Sequence, residues 1–423
     1  MSDSFPSFQQ TPQTGVIYSM AEAQRMGYHP RDWSNLGQGA PETGVLDGAP
    51  KRLENIAVNC LSSEYSPVAG DMELREAIAD LYNTRYRRGL GSKYGAENVS
   101  IASGGRAALT RIATVLGHIN MGHFLPDYTA YEELLDIFRT FIPIPIVLSA
   151  SESFQIGTDQ LRAEIEGRGL GALLFSNPSN PTGHVVKSVQ LAEWVALATK
   201  GQCALIVDEF YSHYHYGGGI SGSGEDTTRS VAACIDHVDK QPVVIIDGLT
   251  KNWRYPGLRL SWTLAPKKII ERIASAGSFL DGGPPHPIQK AAIELVSLEH
   301  AQSEALAIQK SFRVKRQEMI GELERLGFIL GEKKPTGAFY CFPSLENLPP
   351  PLNDGMSFFR EALKKKVIVV PGEFFDVDPG NRRRQYPSRL KGYVRISYGP
   401  SQREVRQGLH RLGELIEEAK NVH

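Results

Sequence analysis

Three short runs constrain this chain more than anything else in it: ALLFS at 172–176, ALIVDEF at 204–210 and PVVIIDGL at 242–249. Each is nearly continuous in apolar residues and then turns polar. A strand with one face in water alternates apolar and polar residues, so a continuous run predicts a strand buried on both faces, as in parallel sheets covered by helices. The intervening sequence supplies the helices. DMELREAIADLYNTRY (71–86) reads as a helix opened by Asp71 as N-cap, NVSIAS (98–103) as a short strand and GRAALTRIATVLG (105–117) as a second helix. The alternation predicts an α/β fold, a mostly parallel sheet sandwiched by helices, with ligand groups at the carboxyl ends of its strands.

After about residue 310 the texture changes. SFRVKRQEMIGELERLG is a long helix, GAFYCF, VIVVPG and YVRISYG are strand pieces, SFFREALKKK is a helix, and a final helix starts at Gln402. The expected organisation is an N-terminal arm with little structure of its own (1–55), a large domain (56–310) and a small α+β domain (311–423) to which the arm contributes. GGGISGSGEDTT at 217–228 reads as a surface loop.

The sum of 46 basic and 47 acidic residues gives a formal net charge of -1, so no overall field points to nucleic acid or a membrane surface, and small-molecule chemistry is expected. Cys60, Cys203, Cys234 and Cys341 form no CxxC or metal-like spacing, and the N-terminus lacks a signal-like apolar run; a reduced, cytoplasmic setting is expected. His213 and His215 in SHYHY form a His-x-His pair without a third ligand nearby, for which a surface or interface role is expected and no metal.

Four stretches at strand ends carry chemistry. In SGGR, Gly104, Gly105 and Arg106 lie between a strand and a helix, where backbone N–H groups either hold a phosphate or merely make a tight turn. SNPSNPTG brings Asn180 to the end of an apolar strand. IVDEFYSHY places Asp208 at a buried strand end with Tyr211 three residues on; a carboxylate there either caps a helix or holds a cation. LTKNWRYPGLR sets Thr250, Lys251 and Arg259 around a Pro-Gly turn. Together these match the needs of pyridoxal 5'-phosphate: a lysine for its aldehyde, an acid for its ring nitrogen, an amide and a phenol for its ring oxygen, and donors for its phosphate.

SNPSNPTG, DEFY, TKNWRYPGLR and YVRISYG resemble the fold type I, class I/II aminotransferase family of pyridoxal phosphate enzymes, over about Gly37 to Gly399. The resemblance implies a seven-stranded sheet in a large domain, a smaller domain built from both chain ends, and a homodimer with shared active sites. It implies an amino acid and a 2-oxo acid as substrates in a ping-pong reaction. Lys251 would form the aldimine and carry the proton, Asp208 would pair with the pyridinium, and Asn180 and Tyr211 would contact the ring oxygen. Tyr128 in LPDYTAY would stack on the ring, and Arg259 would bind the phosphate with Thr250 and residues 104–106. Tyr65 in EYSPVAGDMELR would reach the phosphate of the neighbouring subunit, Arg395 would take the substrate α-carboxylate, and Gly39 would close over it.

The chain departs from the family pattern at Gly248, where many relatives carry a hydroxyl residue, and at Arg106, where a small polar residue is common. Relatives acting on acidic amino acids use a second arginine downstream of the lysine. The corresponding window here, SFLDGGPPHPIQK (278–290), has none and carries Asp281 instead, so weak use of aspartate is expected, with Arg254 or Arg382–Arg384 the other arginines able to supply such a charge. Two rival functions remain in view: elimination, decarboxylation or oxidation on the same cofactor, and a non-enzymatic cofactor-sensing module. The latter would follow a DNA-binding domain, whereas about 35 residues precede the first family motif.

Overall fold

A computed structural model describes residues 15–138, 140–217, 228–383 and 385–421. Seven strands form the central sheet: β1 Val99–Ala102, β2 Asn120–Leu125, β3 Ile142–Val147, β4 Leu170–Ser176, β5 Ala204–Asp208, β6 Val243–Gly248 and β7 Ser261–Leu264. Their order is β1-β7-β6-β5-β4-β2-β3, and only β7 runs antiparallel to its neighbours. The carboxyl ends of the six parallel strands therefore share one edge.

The continuous apolar runs follow from burial on both faces. Ala172, Leu174, Ile206, Val244 and Ile246 pack into one core, while Leu173, Phe175, Leu205, Val207, Val243 and Ile245 pack into the other. Adjacent residues of one strand point to opposite faces, so both parities must be apolar. Asp71 caps the helix Met72–Tyr86 as expected, its side chain accepting from the Glu73 N–H.

The small-domain pieces pair across the chain. Ser34–Asn35 runs parallel to Val367–Ile368, Val370–Pro371 pairs antiparallel with Val394–Arg395, and Ile396–Ser397 pairs with Tyr340–Cys341. The arm is more structured than its composition suggests: it contains the helix Gly15–Arg25 in addition to that strand. The long helix is Leu298–Arg325, starting well before the change of texture near 310. Of the 217–228 loop, residues 218–227 lie outside the described residues, as does Arg384 of the Arg382–Arg384 run. No helix among the described residues is long and apolar enough to cross a membrane.

The expected surface role of His213 and His215 is overturned. Both are buried: the His213 ring lies 4.9 Å from Trp253 with Nδ1 2.8 Å from the Asn252 carbonyl, and His215 Nε2 accepts from Arg229 Nε at 2.7 Å. Burial holds His213 at about 3, so it is a neutral core residue. Among the described residues no cluster could hold a metal ion.

Candidate active site

The strand ends open onto a cavity of about 310 Å³. From the β1 end come Gly105 and Arg106; from the segment after β2, Tyr128; from β4 and its following turn, Ser176 and Asn180; from β5, Asp208, Phe210 and Tyr211. Thr250, Lys251, Pro256 and Arg259 close the remaining side. Residues separated by more than 150 positions meet because parallel strands deliver successive chain segments to one edge.

The β1 turn is shaped for close approach. Gly104 has φ 92° and precedes the helix Gly105–Val115; a Cβ there would lie 2.3 Å from Arg259 Nη2. A Cβ on Gly105 would lie 2.6 Å from the Phe210 ring. Both positions thus need glycine, which leaves the helix N-terminal N–H groups and the Arg259 guanidinium facing one small space. Gly248 has an equally local reason. A side chain there would meet the Leu260 carbonyl and Ser261 Cα, each at 2.6 Å, because β7 crosses directly opposite.

Asp208 is buried and accepts from Tyr131 Oη at 2.9 Å and from the Phe210 N–H at 3.2 Å. Burial nevertheless pushes its carboxyl up to about 6, which marks an acid short of positive charge. Lys251 is displaced the other way, down to about 7, by burial first and then by the positive charges of Arg395 and Arg259, with Asp208 opposing. A lysine and an acid with such displaced values in one cavity mark a site of proton chemistry.

Arg395 stands one layer behind. Its Nη1 donates to Asn180 Oδ1 at 2.9 Å and its Nη2 to the Gly37 carbonyl at 2.7 Å, while its buried Nε has no partner. Asn180 Nδ2 in turn lies 3.5 Å from Tyr211 Oη. Tyr128 meets Tyr131 edge-on at 5.4 Å and receives a bond from Arg106 Nη2 at 3.2 Å, so Arg106 lines the cavity while remaining exposed to solvent. Gly39 lies outside the cavity wall, close to Tyr340 Oη. Tyr65 is 97% exposed and touches no part of this site.

Two residues escaped the sequence reading. Tyr340 Oη lies 2.9 Å from Tyr211 Oη, and Asn252 fixes the backbone beside Lys251 by donating to Asp247 Oδ1 at 2.7 Å and accepting from the His213 N–H. Asp281 of the 278–290 window is paired with Arg111, whose Nε and Nη2 donate to its carboxylate. Of the other arginines considered, Arg254 is buried against Glu304 and Arg383 pairs with Asp376. Arg106 is the one that lines the cavity together with Arg259.

Comparison with known proteins identifies the family. Residues 31–412 match the model of the family described as aminotransferase class I and II. The aspartate aminotransferase of Sulfurisphaera tokodaii is 25% identical over 395 residues, covering 90% of each chain. The aromatic-amino-acid aminotransferase 2 of Thermococcus litoralis is 25% identical over 397 residues, covering 92% of each. The structure of Thermus thermophilus aspartate aminotransferase with maleate superposes with a TM-score of 0.76 at 23% identity, over 98% of this chain and 99% of that one. With the family pattern spanning most of its length and the strand ends converging on Lys251, this chain belongs to the aminotransferase class I and II family.

Proposed function

We propose that this chain is a pyridoxal 5'-phosphate-dependent aminotransferase that moves the amino group of an L-amino acid to a 2-oxo acid in two half-reactions. The observation that carries the reading is Lys251, brought down to about 7, facing the buried Asp208 across a cavity whose third side is a glycine turn with an arginine. The donor set fits the cofactor. The side-chain-free turn at Gly104 and Gly105 suits the approach of a phosphate, with Arg259, Thr250 and the helix N-terminus as its holders. Asp208, short of positive charge, suits a protonated ring nitrogen, and Asn180 and Tyr211 suit a ring oxygen.

When bound, the cofactor supplies a sink for the electrons left at the substrate Cα as its proton departs. Asp208 would hold the cationic ring nitrogen, and Tyr128 would cover one ring face. Lys251 Nζ, brought down to about 7 and so deprotonated in good part at neutral pH, would take the Cα proton and return it from the same side. Arg395 receives the α-carboxylate, for which its unpartnered Nε is a ready donor, and Gly39 borders that end. Tyr65 serves the partner subunit's phosphate site in a homodimer. Support comes from the large apolar side chains that one chain leaves in water, Leu61 at 75% and Phe279 at 70%, on segments joined through His286 and the Glu64 carbonyl. Four unpaired cysteines support a cytoplasmic setting.

The test incubates the loaded protein with a panel of amino acids and a 2-oxo acid. New amino acid should form in step with loss of the first; release of ammonia or carbon dioxide without transfer would assign the elimination or decarboxylation chemistry instead. Aspartate should react more slowly than a neutral amino acid, because residues 278–290 offer its distal carboxylate no arginine; aspartate outrunning the neutral amino acids would show that another arginine, such as the cavity-lining Arg106, supplies the charge.

Arg395→Ala should lower kcat/KM by about 30-fold or more, the ~2–5 kcal/mol lost when one partner of a buried charged pair is removed. Unchanged kinetics would place the α-carboxylate elsewhere. The rate at which cofactor-free protein takes up pyridoxal phosphate should rise with pH and level off above about 7, since only the neutral amine attacks and burial has lowered the Lys251 value to about 7. A rate still climbing towards pH 10 would show an ordinary lysine.

A further inference from the structure

The hydroxyl of Tyr211 sits in a hydrogen-bond chain that is fixed in direction on its Arg395–Asn180 side, while between Tyr211 and Tyr340 either oxygen can donate. A guanidinium only donates, so the 2.9 Å bond from Arg395 Nη1 makes Asn180 Oδ1 an acceptor and turns the Asn180 amide N–H towards Tyr211. That contact is long, at 3.5 Å. The close neighbour of Tyr211 Oη is Tyr340 Oη at 2.9 Å.

Tyr340 belongs to the two-residue strand Tyr340–Cys341, which pairs with Ile396–Ser397 next to Arg395. Its ring centroid lies 4.3 Å from the Arg395 guanidinium, and a Cβ at Gly39 would come within 3.4 Å of its hydroxyl. It is fully buried, as is nearly all of Tyr211. Burial pushes both hydroxyls up, that of Tyr340 to about 12, so both stay protonated at working pH and the pair has two protons to place. One lies between the two oxygens. If Tyr211 supplied it, no proton would remain to donate into the cavity; if Tyr340 supplies it, the Tyr211 proton is directed there.

We propose that Tyr340 is a positioning residue that donates its hydroxyl proton to Tyr211 Oη and so aims the Tyr211 O–H at the cofactor ring oxygen, from a ring held against the carboxylate-binding Arg395. The proposal rests on the reading that the cavity holds pyridoxal phosphate. It links the strand that carries Arg395 to the group that stabilises negative charge on the ring oxygen.

The test is the acid–base midpoint of the visible absorbance of the loaded protein, for the parent, Tyr211→Phe, Tyr340→Phe and the double variant. A donor aimed at the ring oxygen favours its deprotonated form, so losing the donor raises the midpoint. Tyr340→Phe keeps the ring against Arg395 and removes only the hydroxyl. It should raise the midpoint by roughly half to one pH unit, the size of one neutral hydrogen bond. Tyr211→Phe should raise it at least as far, and the double variant should go no further than Tyr211→Phe, because Tyr340 acts through Tyr211. A Tyr340→Phe midpoint equal to the parent's, or a double variant whose shift is the sum of the two singles, would overturn the proposal. A parent protein that gains no visible band with pyridoxal phosphate would instead remove the reading on which it rests.

Discussion

Lys251→Ala should bring amino-group transfer to the limit of detection, at least about 10⁴-fold below the parent, and the variant should lose the yellow colour expected of the loaded protein. The size of the effect follows from two roles on one atom. Nζ both binds the cofactor and carries the proton, and Lys251 is the lysine that lines the cavity among the described residues. A surface lysine could not stand in. Its amine would be protonated until near pH 10, whereas burial and the neighbouring guanidinium groups have brought Lys251 to about 7. Turnover within tenfold of the parent would mean that Lys251 is a structural cation and that the cavity serves another purpose.

Asp208→Asn is the second largest expected effect, and it separates function from stability. Without its carboxylate the site cannot keep a ring nitrogen protonated, and transfer should fall by ~10²- to 10⁴-fold, the range for a lost catalytic electrostatic or acid–base contact. Cofactor-free protein should respond in the opposite sense. The folded-state value of Asp208 is raised to about 6, above that of an unfolded aspartate, so ionising it in the folded chain costs stability at neutral pH, and that cost shrinks as pH falls below about 6 and is gone below the unfolded value of about 4. Asparagine removes the cost and still accepts from Tyr131 Oη. The cofactor-free variant should therefore melt no lower than the parent at pH 7.5, with the difference shrinking at pH 5. A large loss of melting temperature would show that the acid mainly holds the fold together.

The parts of this molecule that could be read from its sequence are those where one local rule suffices. ALIVD and VVIIDG had to be buried on both faces, and polar groups after such strands had to gather at one sheet edge; the structure brings Asn180, Asp208 and Lys251 together there. The departure at Gly248 was visible, but its cause was not, since the backbone of β7 fills the space. Pairings over long separations left no local trace. GAFYCF announced a strand, yet nothing in it told which residue would face Tyr211, 129 positions earlier. The clamp of Arg111 on Asp281 joins residues 170 apart, and nothing within the 278–290 window announces it. A surface or interface role is expected of His213 and His215 because their His-x-His pair lacks a third ligand, a pattern that also suits a segment whose polar groups find partners inside.

The most direct measurement of the central claim is the position of the covalent label after pyridoxal phosphate is added to the protein, reduced in place with borohydride and the chain digested for mass spectrometry. The account predicts the phosphopyridoxyl group on the peptide that contains Lys251, at about one per chain, and its absence in Lys251→Ala. Label spread over exposed lysines such as Lys268 or Lys391 with Lys251 unmodified would contradict it.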